Sequence, residues 1–178
     1  TMDTLSDAGI AYIGAGHNLK EAMKPVYVEL DGKTVAFVAA SRAEKNRKTP
    51  QATEDSPGIL LCYDTELFLK TIAEADANAD FVIAYVHWGT EYSYDLEEEQ
   101  LITGKEYLDA GADAVIGAHA HYIQGLEYYN GEPIVYGLGN YWFNGKERDS
   151  MLVDLHFFGD DDEGALEVKI IPAKQADF

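Results

Sequence analysis

A chain of 178 residues with 47% apolar side chains is long enough to bury a core and too apolar to be generally disordered. Thirteen basic against 32 acidic residues leave a formal charge of −19, which repels nucleic acid and anionic lipid and favours cations. Cys62 is the only cysteine, which excludes an internal disulfide; no apolar run reaches membrane-helix length, and Thr1-Met2-Asp3-Thr4-Leu5 lacks a signal-peptide pattern, so one soluble domain is expected.

In chain order, apolar runs rich in Val, Ile and Tyr predict strands over 11–15, 26–30 and 34–40. Asp31-Gly32 between the last two supplies the positive φ angles of a tight hairpin. The polar segment 42–58 carries Arg42, Lys45, Arg47 and Lys48. A solvated loop is its plainer reading, and an anion site in which Arg42 and Lys45 touch substrate is the functional one. A helix is expected from Asp64 or Thr65 to about Ala77, with Leu67, Phe68, Leu69 and Ile72 against a sheet. After a strand over 81–87, a second helix spans 96–110, with Asp95 and Glu98 as a capping-box variant and Gly111 past its end. Strands follow over 114–118, 123–129 and 134–138, with Asn130-Gly131 as a second hairpin turn. The last two strands, 151–157 and 166–171, are joined by the acidic stretch 159–164 as an antiparallel pair. Strands alternating with helices predict an α/β fold with mixed β-sheets.

The chemistry concentrates in three histidines: His87 in Val86-His87-Trp88-Gly89, and His119 with His121 in Gly117-Ala118-His119-Ala120-His121. Residues i and i+2 of an extended segment point the same way, so the pair converges on one side of a sheet edge, where His87 joins it. Their plainer reading is as polar strand-end residues without metal.

These elements carry a resemblance. Ala8-Gly9-Ile10-Ala11-Tyr12-Ile13-Gly14-Ala15-Gly16, then His87-Trp88-Gly89-Thr90-Glu91-Tyr92, Gly117 to His121, and Tyr136-Gly137-Leu138-Gly139-Asn140-Tyr141-Trp142-Phe143 occur in an order that resembles the bacterial CapA family of poly-γ-glutamate capsule synthesis. That family belongs to the calcineurin-like metallophosphoesterase superfamily. The resemblance implies two mixed sheets packed as a sandwich and flanked by helices. It implies that His87 and His119 share one metal while His121 serves the other, the pair of ions being two divalent transition metals, Mn, Fe or Zn. It also implies that the remaining ligands lie in an earlier half of the domain. The chain is therefore expected to be the C-terminal portion of a CapA-like domain, binding metal weakly and inactive alone. Its expected partners are that N-terminal half and other membrane-bound capsule components, with no nucleic acid. The parent protein is expected to be extracytoplasmic and membrane-associated.

Glu91, four positions after His87, is a candidate to orient a ligand histidine or substrate, with an exposed loop carboxylate as the alternative. Asn140, in a Gly-rich bend, binds substrate or holds its own loop; Trp88 and Tyr92 wall the pocket or simply pack. The family usually has serine where Gly137 stands. His17 and His156 read as surface or structural, Gly14-x-Gly16 lacks a dinucleotide fingerprint, and Asp160-Asp161-Asp162 reads as a turn. Two functions stay open: a metal-dependent hydrolase acting on a phosphoester or related bond, and a non-catalytic polymer-binding, export or assembly component.

Overall fold

The computed structural model describes residues 1–42, 49–143, 147–158 and 165–175. Its centre is a six-stranded mixed sheet with strand order β2-β3-β5-β6-β8-β7. β3 (Lys33–Ser41), β5 (Phe81–His87), β6 (Ala114–Ala118) and β8 (Glu132–Val135) run parallel; β2 (Val26–Leu30) and β7 (Leu126–Tyr129) close the edges antiparallel. The parallel strands are the most apolar runs in the chain because both faces are covered. Both edge strands are added by the expected hairpins: Asp31 and Gly32, then Asn130 and Gly131, all have positive φ.

One face is covered by α3 (Glu66–Asp76) and α4 (Glu98–Asp109), which cross over between β3 and β5 and between β5 and β6. Phe68 and Ile72 of α3 are fully buried against Val38, Val82 and Val86. Burying side chains of this size stabilises by roughly 1.5–3 kcal/mol each. Gly104, a weak helix former, sits where a methyl group would come within 3.3 Å of Trp88 and Ile134, so it lets α4 lie close to the sheet. The opposite face packs on a long antiparallel ribbon, β9 (Arg148–Phe158) and β10 (Ala165–Gln175), through Phe81, Ile83, Ile116, Met151, Leu155 and Phe157. Helices, mixed sheet and ribbon form the layered α/β sandwich expected.

Several details differ from the sequence reading. Of the strand expected over 11–15 only Ala15 is in a strand, the two-residue β1 (Ala15–Gly16), because its partner is the two-residue β4 (Gly58–Ile59) and not the main sheet. Short helices α1 (Met2–Asp7) and α2 (Leu19–Ala22) flank it. α4 is capped by Glu97 with Gln100, not by Asp95 with Glu98: the Glu97 N–H donates to Gln100 Oε1 at 2.9 Å. β7 starts at Leu126, Ile123 making only an isolated bridge to Leu138. The 159–164 loop and Lys45, Arg47 and Lys48 lie outside the described residues. Among those described, no helix is long and apolar enough to cross a membrane.

Candidate metal centre

His87 is the last residue of β5 and stands in register with Ala118, the last residue of β6. His119 follows at once, so the two rings meet at the carboxyl edge of the parallel strands, centroids 4.5 Å apart. This is the edge where α/β sheets present their ligand-binding groups. His121 lies one turn further on, 6.2 Å from His119 between centroids. The pair does not converge as an extended segment, as the sequence reading had it. β6 ends at Ala118, and both His119 (φ 99°) and His121 (φ 59°) occupy the left-handed region. Tyr92 (φ 60°) opposite them does the same, its N–H held by the Ala120 carbonyl at 2.8 Å. Such backbone costs on the order of 1–3 kcal/mol per residue and collects where function requires it.

Burial holds the His87 ring below the usual imidazole range, with further lowering from the His121 and Arg42 charges. His119 is pushed down to about 4, again chiefly by burial and then by His87 and Arg42. Both rings are neutral near pH 7, the form that ligates metal. His121 Nδ1 lies 2.8 Å from Asn140 Oδ1, which fixes the proton on that nitrogen and leaves Nε2 with its lone pair. Glu91 Oε1 is 3.9 Å from His121 Nε2. Tyr92 stacks on His121 at 5.1 Å and Phe143 packs on it at 4.7 Å.

Of the expected site residues, the structure therefore gathers His87, His119, His121, Glu91, Tyr92 and Asn140. Arg42 comes to the edge by its N–H to the His87 carbonyl, but its guanidinium is engaged 3.3 Å from Glu97 in a largely buried pair. It acts on the histidines through its charge. Trp88 is not a pocket wall: it is fully buried, stacks with Tyr107 and Tyr136, and its indole N–H donates to the Tyr136 carbonyl at 3.0 Å. Gly117 makes room for it, since a Cβ there would fall 2.4 Å from the indole nitrogen and 2.0 Å from the Tyr136 oxygen. The Gly137 position is less tight, a Cβ meeting the Tyr122 oxygen at 3.0 Å. His17 bridges Asp3 and Glu21 on the surface, away from the centre.

Sequence reasoning missed the polar scaffold beneath the loop after β5. Glu97 accepts from Tyr63 Oη at 2.7 Å and from the Thr90 hydroxyl, and buried Gln100 donates to Gln124, which donates to the Ser93 and Asp95 carbonyls. These contacts span residues 63 to 124 in sequence, so no local pattern announces them. Arg148, lying over Tyr92, was missed for the same reason.

Three imidazoles, one of them hydrogen-bonded by Asn140, fit zinc, iron or manganese by donor type. Among the described residues, no three His, Cys, Asp or Glu side chains close tightly enough to hold an ion by themselves.

The family model described as bacterial capsule synthesis protein PGA_cap matches residues 1–145. The PGA biosynthesis protein CapA of Bacillus subtilis is 35% identical over 160 residues, 88% of this chain and 41% of that protein. The capsule biosynthesis protein CapA of Bacillus anthracis is 32% identical over 179 residues, 97% of this chain and 42% of that protein. The chain thus spans about two-fifths of the length of these relatives. Two solved structures share the fold: a protein assigned as a 5′-nucleotidase from Staphylococcus aureus, in complex with α-ketoglutarate, has TM-score 0.60 and 14% identity over 96% of this chain and 34% of its own. A hypothetical protein from Thermus thermophilus has TM-score 0.53 and 17% identity over 85% of this chain and 61% of its own. Through its match over most of its length, this chain belongs to the bacterial capsule synthesis protein PGA_cap family.

Proposed function

We propose that this chain contributes the histidine side of a two-metal centre in a poly-γ-glutamate capsule biosynthesis protein, where the centre acts on a phosphoester or related bond. The observation that carries this reading is the meeting of His87 and His119 at one strand edge, with His121 beyond them held by Asn140. His87 and His119 would share one ion and His121 would serve the other. Divalent Mn, Fe or Zn so held polarises a phosphoryl oxygen and lowers the pKa of bound water. Glu91, 3.9 Å from His121 Nε2, adds negative charge that would favour a cation there, while Tyr92 and Phe143 pack on the His121 ring. The remaining donors, including a carboxylate to offset two dications, would come from outside residues 1–178, in the part of the relatives this chain does not span. Action outside the cytoplasm beside membrane-bound capsule components is part of the same reading, supported by the relatives' capsule role.

The test is hydrolysis of a generic phosphodiester by the parent protein carrying this chain, loaded with Mn, Fe or Zn. Activity that His119→Ala abolishes is expected. A metal-loaded protein inert towards phosphoesters would contradict the catalytic part of the reading.

A further inference from the structure

Of the three histidines, His121 is the one that no strand holds. His87 ends β5 and His119 follows β6 directly, whereas His121 stands two residues further on with φ 59°. Its ring direction therefore depends on its side-chain contacts: Asn140 at Nδ1, Tyr92 stacked at 5.1 Å and Phe143 packed at 4.7 Å. These two aromatic residues are themselves 51% and 50% exposed, so each needs an anchor of its own to stay in one place.

Both anchors come from the open end of the β9–β10 ribbon, where Arg148 and Gln175 stand directly opposed in the last pair of the register. The Arg148 guanidinium lies 4.9 Å from the Tyr92 centroid and 4.9 Å from that of Tyr122, the residue next to His121. Tyr94 stacks on Tyr122 at 4.3 Å and backs this group. A guanidinium over a ring face is attracted to its negative centre, most strongly where water is partly excluded. Gln175, buried, donates from Nε2 to the Phe143 carbonyl. Glu147 is paired with Lys174 at 3.0 Å, so this neighbouring carboxylate does not draw the guanidinium off the tyrosines. Arg148 Nη1 and Gln175 Oε1 are both buried and without a hydrogen bond among the described residues; as a donor and an acceptor on opposed positions they complement one another.

We propose that Arg148 and Gln175 are positioning residues for His121, a clamp in which the arginine fixes Tyr92 and the glutamine fixes Phe143 against the histidine ring. The clamp ties the loop after β6 that carries His121 to the C-terminal ribbon, two parts of the chain that no local sequence pattern connects. It lies beyond residue 145, where the match to the capsule family model ends. A ligand already held in one orientation loses less freedom on binding an ion, so the clamp raises affinity without touching the metal. Its value to metal binding rests on the two-metal reading above; the clamp itself does not.

The experiment has a metal-free and a metal-dependent readout, both on the full chain. In EDTA, the NOE cross-peaks of the His121 ring to Tyr92 and to Phe143 are measured by NMR. Arg148→Met, which keeps the reach of the side chain without its charge, should lose most of the Tyr92 cross-peak. Arg148→Lys, which restores a cation over the ring, should recover it in part. Gln175→Leu should lose the Phe143 cross-peak and leave that of Tyr92. The cross-peak between the His87 and His119 rings, which the strand ends hold 4.5 Å apart, should stay in all three variants. Unchanged His121 cross-peaks in Arg148→Met and Gln175→Leu would overturn the clamp, and so would loss of the His87–His119 cross-peak along with them, which would make these residues supports of the whole fold only. Zinc affinity by equilibrium dialysis should fall about tenfold in the Arg148→Met, Gln175→Leu double variant. Equal zinc affinity beside lost His121 cross-peaks would overturn the positioning role. An unaltered chain that binds no zinc at all would contradict the metal-centre reading, while the clamp stands or falls on the metal-free cross-peaks.

Discussion

Outside the hairpin turns, the described non-glycine residues with positive φ are Tyr92, His119 and His121, and all three stand at the histidine centre. Strain placed there predicts a trade between stability and function. His119→Gly should stabilise the fold by on the order of 1 kcal/mol in urea denaturation while removing a ligand; destabilisation would show that the ring's packing outweighs its backbone cost. Asn140 is a positioning residue for His121. Asn140→Ala should weaken metal affinity about 10–100-fold in a competitive chelator titration, and Asn140→Asp, which still accepts from Nδ1, should restore most of it. Unchanged affinity in the alanine variant would show that Asn140 only holds its loop. Trp88 has a different character: Trp88→Ala should cost about 3–5 kcal/mol of stability, because it empties a fully enclosed space and orphans the Tyr136 carbonyl.

β6 carries the most constraint of any element near the site. Gly117→Ala would press a methyl group against Tyr136 backbone, so a loss above about 3 kcal/mol and a shift of the β6 end that carries His119 are expected by denaturation and by NMR of the His119 ring. Asp113, just before β6, accepts from the Val82 N–H at 2.6 Å yet has its carboxyl pushed up to about 6 by burial. Since its unfolded pKa is about 3.9, the folded state holds the proton more tightly. Its contribution is full below that value and is lost as pH rises through about 6. Asp113→Asn should flatten that part of the stability profile between pH 4 and 7, and an unchanged slope would contradict the assignment. Elements of this kind were legible where the cause is local: the Asp31-Gly32 and Asn130-Gly131 turns, the apolar runs of β5 and β6, and the helix over 66–76. They were not legible where the partner is distant. Ala11 to Gly14 have strand-like composition but pair with no strand of the main sheet, Gly14 only packing against Ala39 of β3. Trp88 looked like a pocket aromatic because its neighbours Tyr107 and Tyr136 come from other elements. The three histidines were identified by residue type and order, whereas the turn that presents two of them was visible only as backbone φ angles.

At the scale of the whole molecule, a chain carrying −19 charges gathers cations and repels polyanions. Cations held at the histidine centre would be favoured by this field, with Tyr92 stacked on His121 beside them. The metal centre is the central claim, and metal content measures it most directly. The chain is dialysed to equilibrium against zinc, manganese and iron(II) in turn near pH 7, and its metal above that of the dialysate is determined by elemental analysis beside the His87→Ala, His119→Ala, His121→Ala triple variant. Metal retained by the chain and lost in the triple variant is predicted, with about two ions in a protein that also carries the rest of the domain. Equal metal in the chain and the triple variant would contradict the account.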